Sequence, residues 1–274
     1  MGLLKIYSEL WALKNPVFFQ ETPRAVLYRA EYRGLPAILK IARSSGLEDE
    51  ANACAFLCLC PSSIAVTLLE SCSDAALMTY LPGPPLSALV KTGEDEEASR
   101  ILAQTAKSVS LLPVLEDHDF IPLRRWFRAL FERAKAPAGA NDALFVRAAS
   151  VAHLLLALKT KSVLLHGDLH HDNLLLDHDG RYKMIDPKGL IGHPAYDVAN
   201  AFCNPPESGR ATRDRIMKQA DIFSSTLGQE IRVILGFGFV HAAISPLWSH
   251  EDGEDPGNGM ETAQLFFDLW QEQV

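Results

Sequence analysis

The chemistry in this chain is concentrated in one run, His166-Gly167-Asp168-Leu169-His170-His171-Asp172-Asn173, followed by Leu174-Leu175-Leu176-Asp177 and then Met184-Ile185-Asp186-Pro187. Asn and Asp supply hard oxygens suited to Mg²⁺ that still carries phosphate oxygens. A carboxylate that is not a ligand can orient a hydroxyl and accept its proton. Phosphoryl transfer asks for that combination, because its catalysis is mostly positioning plus charge neutralisation. In this reading Asn173 and Asp186 are the metal ligands and Asp168 is the catalytic residue.

The same residues admit a second chemistry. His166, Asp168, His170, His171 and Asp186 all qualify as ligands of a hydrolase metal centre. Against it, adjacent His170 and His171 point to opposite faces of an extended backbone. His166 is expected to pack beneath the loop and bond the backbone.

Short strands must hold this loop. Residues 162–165 read as an apolar strand entering it, and Leu174 opens a second apolar run leaving it. Asp177-His178-Asp179-Gly180 is a turn in which Gly180 can take positive φ. A third strand, residues 182–185, then delivers Asp186 back beside the loop.

The wording His-Gly-Asp-Leu-His-x-x-Asn followed by Ile-Asp-Pro resembles the aminoglycoside phosphotransferases. The longer runs, residues 165–174 and Ile185-Asp-Pro-Lys-Gly-Leu-Ile-Gly192, resemble the streptomycin phosphotransferase branch, the aminoglycoside/hydroxyurea resistance kinases. The resemblance implies an ATP-dependent kinase acting on a hydroxyl of a small cationic antibiotic, with ATP and Mg²⁺ as cofactors. It also implies that Asp197, within Pro194-Ala-Tyr-Asp-Val198, braces the catalytic loop, and that Lys188 lies where it can reach the transferring phosphate.

Upstream, residues 17–43 read as strand, turn, strand, turn, strand. A lone lysine, Lys40, sits in the third strand and an acidic helix over residues 47–59 follows, the order found in kinases. Lys40 is therefore assigned to the nucleotide phosphates. Its partner is expected to be Glu50, which shares a helical face with Cys54 and Leu57, with Glu48 as the alternative. The turn at residues 20–25, where kinases carry a glycine-rich loop, has no glycine. Thr22 is the nearest hydroxyl. Residues 61–69 and 75–79 read as two more strands, and Tyr80-Leu-Pro-Gly-Pro-Pro85 as an inter-lobe hinge. Backbone groups of Thr79, Tyr80 and Leu81 are expected to meet the adenine edge.

Beyond the hinge the pattern turns helical, with an Arg-rich aromatic helix at 123–134 and a helix after Asp142. In the last third, Glu207, Asp214, Glu251, Asp252, Glu254 and Asp255 supply negative charge and Trp248 and Trp270 flat apolar surface, all suited to a guanidinium-bearing substrate.

Composition limits the alternatives. The 274 residues carry a net charge of -8. That provides no basic stripe for nucleic acid and suits a cationic partner. Residues 1–15 lack the features of a signal peptide. The longest apolar region, 233–248, is broken by His241 and Pro246, so no membrane span is expected. Five cysteines, an odd number with three crowded in one helix, point to free thiols in the cytoplasm. A zinc site from Cys54, Cys58, Cys60 and Cys72 is the alternative. The expected architecture is α+β, a protein-kinase-like two-lobed fold. Residues 1–81 form an antiparallel-sheet N-lobe that binds nucleotide, and residues 82–274 a mainly helical C-lobe. Two other functions remain open. One is the same chemistry on a sugar, a choline-like alcohol or hydroxyurea. The other is a pseudokinase-like module that binds nucleotide without turnover, motivated by the missing glycines.

Overall fold

The computed structural model describes residues 2–43, 47–115, 118–136, 142–205, 211–251 and 259–273, with 47–49 and 251 described by backbone alone. The chain forms two compact units. One comprises residues 1–84 and 175–189, and the other residues 85–174 and 190–274.

The first unit is built on five antiparallel strands: β1 (Lys14–Glu21), β2 (Ala25–Tyr32), β3 (Leu35–Ala42), β4 (Leu68–Ser71) and β5 (Ala75–Thr79), in the order β1-β2-β3-β5-β4. Strand side chains alternate between faces. In β3 this sends Ala37, Leu39 and Ile41 to one face. There they form a core with Ala30, Tyr32, Ala75 and Leu77, joined by Tyr7 of helix α1 (Leu3–Leu10). Lys40 falls on the opposite face, beside helix α2 (Leu47–Leu59). The strand expected over residues 61–69 is shorter. Pro61 opens a turn closed by the Ile64 and Ala65 amides, and only Leu68–Ser71 joins the sheet. Ala65 instead bridges Met184 in parallel.

The second unit is mainly helical. It contains α3 (Ser87–Lys91), α4 (Asp95–Ser110), α5 (Leu123–Trp126), α6 (Arg128–Lys135), α7 (Asp142–Leu156), α8 (Arg213–Leu227), α9 (Ile231–Glu251) and α10 (Gly259–Gln271). The helix expected at 123–134 breaks at Phe127 into α5 and α6. Asp142, expected as a cap, lies within α7, buried and paired with Arg133. Helix α9 continues through Pro246. Residues 231–250 are long and apolar enough to cross a membrane, yet 67% of that stretch is buried in the protein. Phe237, Phe239, Val240 and Ile244 are fully buried, so α9 serves as the central core helix of its unit.

Strands β6 (Ile121–Pro122), β10 (Leu190–Gly192) and β7 (Val163–Leu165) make a small sheet in that order. Strands β8 (Leu174–Leu176) and β9 (Tyr182–Met184) pair across the turn at Gly180, whose φ is +76°.

Gly189 lies close against the backbone of α2. Its φ is +64°, and a Cβ there would lie 2.8 Å from the Asn52 carbonyl oxygen of α2. Backbone cannot yield as a side-chain tip can. Gly189→Ala is expected to cost about 2–4 kcal/mol, the left-handed conformation and the overpacking adding together. Urea unfolding checks it, and an unchanged midpoint refutes the close approach.

Candidate active site

Two sets of side chains carry the expected chemistry. In the first unit, Lys40 Nζ lies 2.9 Å from Glu50 Oε2 and 2.6 Å from Asp186 Oδ1. Glu50 is buried, as its place on the apolar face of α2 requires. The side chain of Glu48, the alternative, lies outside the described residues. Burial alone would lower the affinity of Lys40 for its proton. The charges of Asp186 and Glu50 outweigh it and hold the ammonium above the usual lysine range. Asp186 sits just beyond β9 with φ +55°, a left-handed conformation that Asp tolerates at a cost on the order of 1 kcal/mol. Lys188 Nζ is 3.8 Å from its other oxygen. One carboxylate thus faces two ammonium groups.

The backbone at residues 79–81 is already partly committed. The Thr79 amide donates to the Thr67 carbonyl and the Tyr80 amide to the Pro36 carbonyl. Leu81 is buried, and its amide donates to no group among the described residues. Tyr80 packs its ring under the Arg29 guanidinium, 4.4 Å away. Thr22 closes its own turn: its hydroxyl accepts the Ala25 amide at 3.0 Å.

In the second unit the loop after β7 is braced by a carboxylate. Asp197 Oδ2 accepts the His166 amide at 2.9 Å and Oδ1 the Gly167 amide at 2.8 Å. Asp197 is buried inside the 3₁₀ turn Pro194–Val198, whose cap is His193. His166 is fully buried, and its Nδ1 accepts the Asp168 amide at 3.2 Å. Asn173 ends the 3₁₀ turn His171–Asn173, and its Nδ2 donates to the Asp168 carbonyl at 2.9 Å, leaving Oδ1 as a hard acceptor. Asp168 Oδ1 accepts from Asn200 Nδ2 at 2.7 Å. His170 is partly exposed whereas His171 is fully buried.

Sequence reasoning missed Asn200 and treated His241 only as an interruption in an apolar stretch. Asn200 lies three residues after Asp197, a weak signal. His241 lies within α9, where no local pattern points to it.

 Counted along the chain, 32 residues separate Asp168 from Asn200 and 41 separate Asn200 from His241. Pairings that distant leave no spacing to read.

Among the described residues, no group of three His, Cys, Asp or Glu side chains is placed to hold a metal ion, and the five cysteines are free. The hydrolase and zinc readings therefore have no geometric support there. Of the acidic candidates, Asp214 is exposed and pairs with Lys218 at 3.0 Å. Glu207, Asp252, Glu254, Asp255 and the side chain of Glu251 lie outside the described residues. Trp248 packs on Trp126 at 5.1 Å, while Trp270 lies beneath Arg232 and against Phe267.

Burial makes three histidines hard to protonate. His171, His193 and His241 are each lowered to about 4, with the Arg215 charge adding to the burial of His171. Burial pushes Asp197 up to about 7 against the pull of its two amide bonds. The signs oppose. Unfolded histidines take up protons near pH 6.5 that the folded protein refuses, so stability falls as pH drops from about 6.5 to 4. Asp197 contributes stability that is lost as pH rises from about 4 to 7. Three groups outweigh one, and a net loss on the order of 5 kcal/mol is expected between pH 7 and 4.5. Urea midpoints at the two pH values check it. Greater stability at pH 4.5 would show the Asp197 effect to dominate.

Comparison with known proteins identifies the family and the fold. The family model for aminoglycoside/hydroxyurea antibiotic resistance kinases matches residues 10–253. The chain is 35% identical over 251 residues to streptomycin 3''-kinase of Klebsiella pneumoniae, covering 89% of this chain and 91% of that one. Its fold is similar to the crystal structure of aminoglycoside phosphotransferase APH(4)-Ia, with a TM-score of 0.73 at 16% identity over 96% and 97% of the two chains. It is also similar to Plasmodium vivax ethanolamine kinase, with a TM-score of 0.62 at 14% identity over 95% and 84%. The protein-kinase-like α+β fold follows, and the chain belongs to the aminoglycoside/hydroxyurea antibiotic resistance kinase family.

Proposed function

We propose that this kinase transfers the γ-phosphate of ATP to a hydroxyl of streptomycin. The observation that carries the reading is 35% identity, over nearly the whole chain, to a streptomycin kinase. Each set of side chains has a role in it. Lys40, oriented by Glu50, neutralises the nucleotide phosphates, and the Leu81 amide is available to the adenine edge, with Thr79 and Tyr80 shaping the segment. Asp168 orients the acceptor hydroxyl and takes its proton. The oxygens of Asn173 and Asp186 have the donor chemistry that Mg²⁺ prefers. The metal, when bound, neutralises charge on the transferring phosphate. Lys188 adds a further positive charge.

The substrate is a small cation, in keeping with a net charge of -8. The cytoplasm supplies both ATP and the reducing conditions that suit five free cysteines. A second reading keeps the chemistry and exchanges the acceptor for hydroxyurea or another small alcohol. The breadth of the family's own description favours it. The turn at Thr22 motivates the binding-module reading, because no glycine backbone cradles phosphate there.

The test is ADP release from Mg-ATP with and without streptomycin. Strong stimulation is expected, abolished by chelating Mg²⁺. Asp168→Asn is expected to lower it about 10²–10⁴-fold, the usual worth of a general base, with nucleotide affinity retained. Near-full turnover in that variant refutes the role of Asp168. Nucleotide binding without stimulation, while hydroxyurea stimulates, moves the substrate to the second reading. Binding with no transfer to any hydroxyl leaves the binding module.

A further inference from the structure

Asp168 is tied to a chain of side chains that the phosphoryl-transfer reading does not use. Asn200 Nδ2 donates to Asp168 Oδ1 at 2.7 Å. Asn200 Oδ1 lies 2.9 Å from Asn204 Nδ2 and 3.0 Å from His241 Nε2. His241 Nδ1 lies 3.3 Å from the Tyr196 hydroxyl, which accepts the Trp126 indole N–H at 2.8 Å.

The direction of every bond follows from chemistry. An indole N–H can only donate, and a carboxylate can only accept. If the Asn200 amide were reversed, its oxygen would face the Asp168 carboxylate and its NH₂ would face the Asn204 NH₂. The amide orientation is thereby settled, and His241 must donate from Nε2. In a neutral ring Nδ1 then accepts from Tyr196 O–H, whose oxygen in turn accepts from Trp126. Each link has one polarity.

The supports are rigid. Tyr196 and His241 are buried. Arg215 pairs with Asp95 at 2.7 Å and donates to the carbonyls of Phe202 and Asn204 at 3.0 and 2.8 Å, pinning the segment that carries Asn200. Trp248 packs on both Trp126 and His241.

We propose that Asn200 and His241 are positioning residues for Asp168, the one-way chain from Trp126 setting the rotation of its carboxylate toward the acceptor hydroxyl. The inference rests on Asp168 being the acceptor-side base. Small errors in the placement of a reacting group cost up to about 10²-fold in rate. A device of this kind acts on kcat and leaves Mg-ATP binding alone.

The experiment compares Asn200→Ala, His241→Phe and His241→Gln in streptomycin-dependent ADP release, together with ¹⁵N NMR of the histidine rings in the intact enzyme. Phe keeps the ring shape without the relay, and Gln keeps a donor for Asn200. The expected result is a fall in kcat of about 10–100-fold for Asn200→Ala and about 10-fold for His241→Phe. KM for Mg-ATP should stay within about twofold, and His241→Gln should recover most of the rate. The His241 signals, assigned by their absence from His241→Phe, should show a neutral ring protonated at Nε2. The proposal is overturned by an unchanged kcat in Asn200→Ala, by Gln failing to restore what Phe loses, or by a His241 ring protonated at Nδ1. If the wild type shows no acceptor-dependent turnover, the proposed function fails, and the Nδ1-protonated ring remains the result that would separately overturn the relay.

Discussion

A charge taken out of water must be met by an opposite charge or by hydrogen-bond donors, and both units are arranged around that constraint. Lys40 enters an apolar strand because Glu50 and Asp186 reach it at 2.9 and 2.6 Å. Two neighbouring elements, β3 and α2, are thereby tied to the segment after β9, 146 residues along the chain from Lys40. Asp197 is the mirror case, a buried carboxylate satisfied by two backbone amides of the loop that carries Asp168. Breaking either arrangement leaves a charge without compensation. That costs far more than losing an exposed ion pair such as Lys218–Asp214.

The two devices differ in what they hold. The Lys40 cluster is made of side chains, with Asp186 shared between two lysines. Side-chain ion pairs of this kind can exchange partners, because another anion can take the place of one carboxylate. The Asp197 brace is made of backbone amides, which have fixed positions once the loop has folded. It suits a group that must not move, as the proposed role of Asp168 requires.

How much of this was legible in the sequence follows from the range of each interaction. Lys40, Glu50, Asp168, Asn173 and Asp186 stood out because strand alternation, helical spacing and one compact loop are local patterns. The β1–β3 meander and α2 were legible for the same reason. Residues 61–67 read as strand but are not, because apolar content alone does not reveal a turn opened by Pro61, nor pairing to Met184. The apolar region 233–248 reads as broken by His241 and Pro246, yet helix α9 runs through both. Proline costs only what its missing N–H and its ring cost, and the packing of a largely buried helix outweighs that.

Asn200, His241 and Tyr196 were not legible because each earns its place through a partner far along the chain. A buried histidine in an apolar helix reads as a break in the pattern until the fold shows what its two nitrogens face. His171 sharpens the contrast. It is equally buried, yet neither ring nitrogen has a hydrogen-bond partner among the described residues. Burial alone therefore does not mark a histidine as part of a network. The polarity of the bonds does, since a chain that begins at a pure donor and ends at a pure acceptor leaves each intervening group only one way to point.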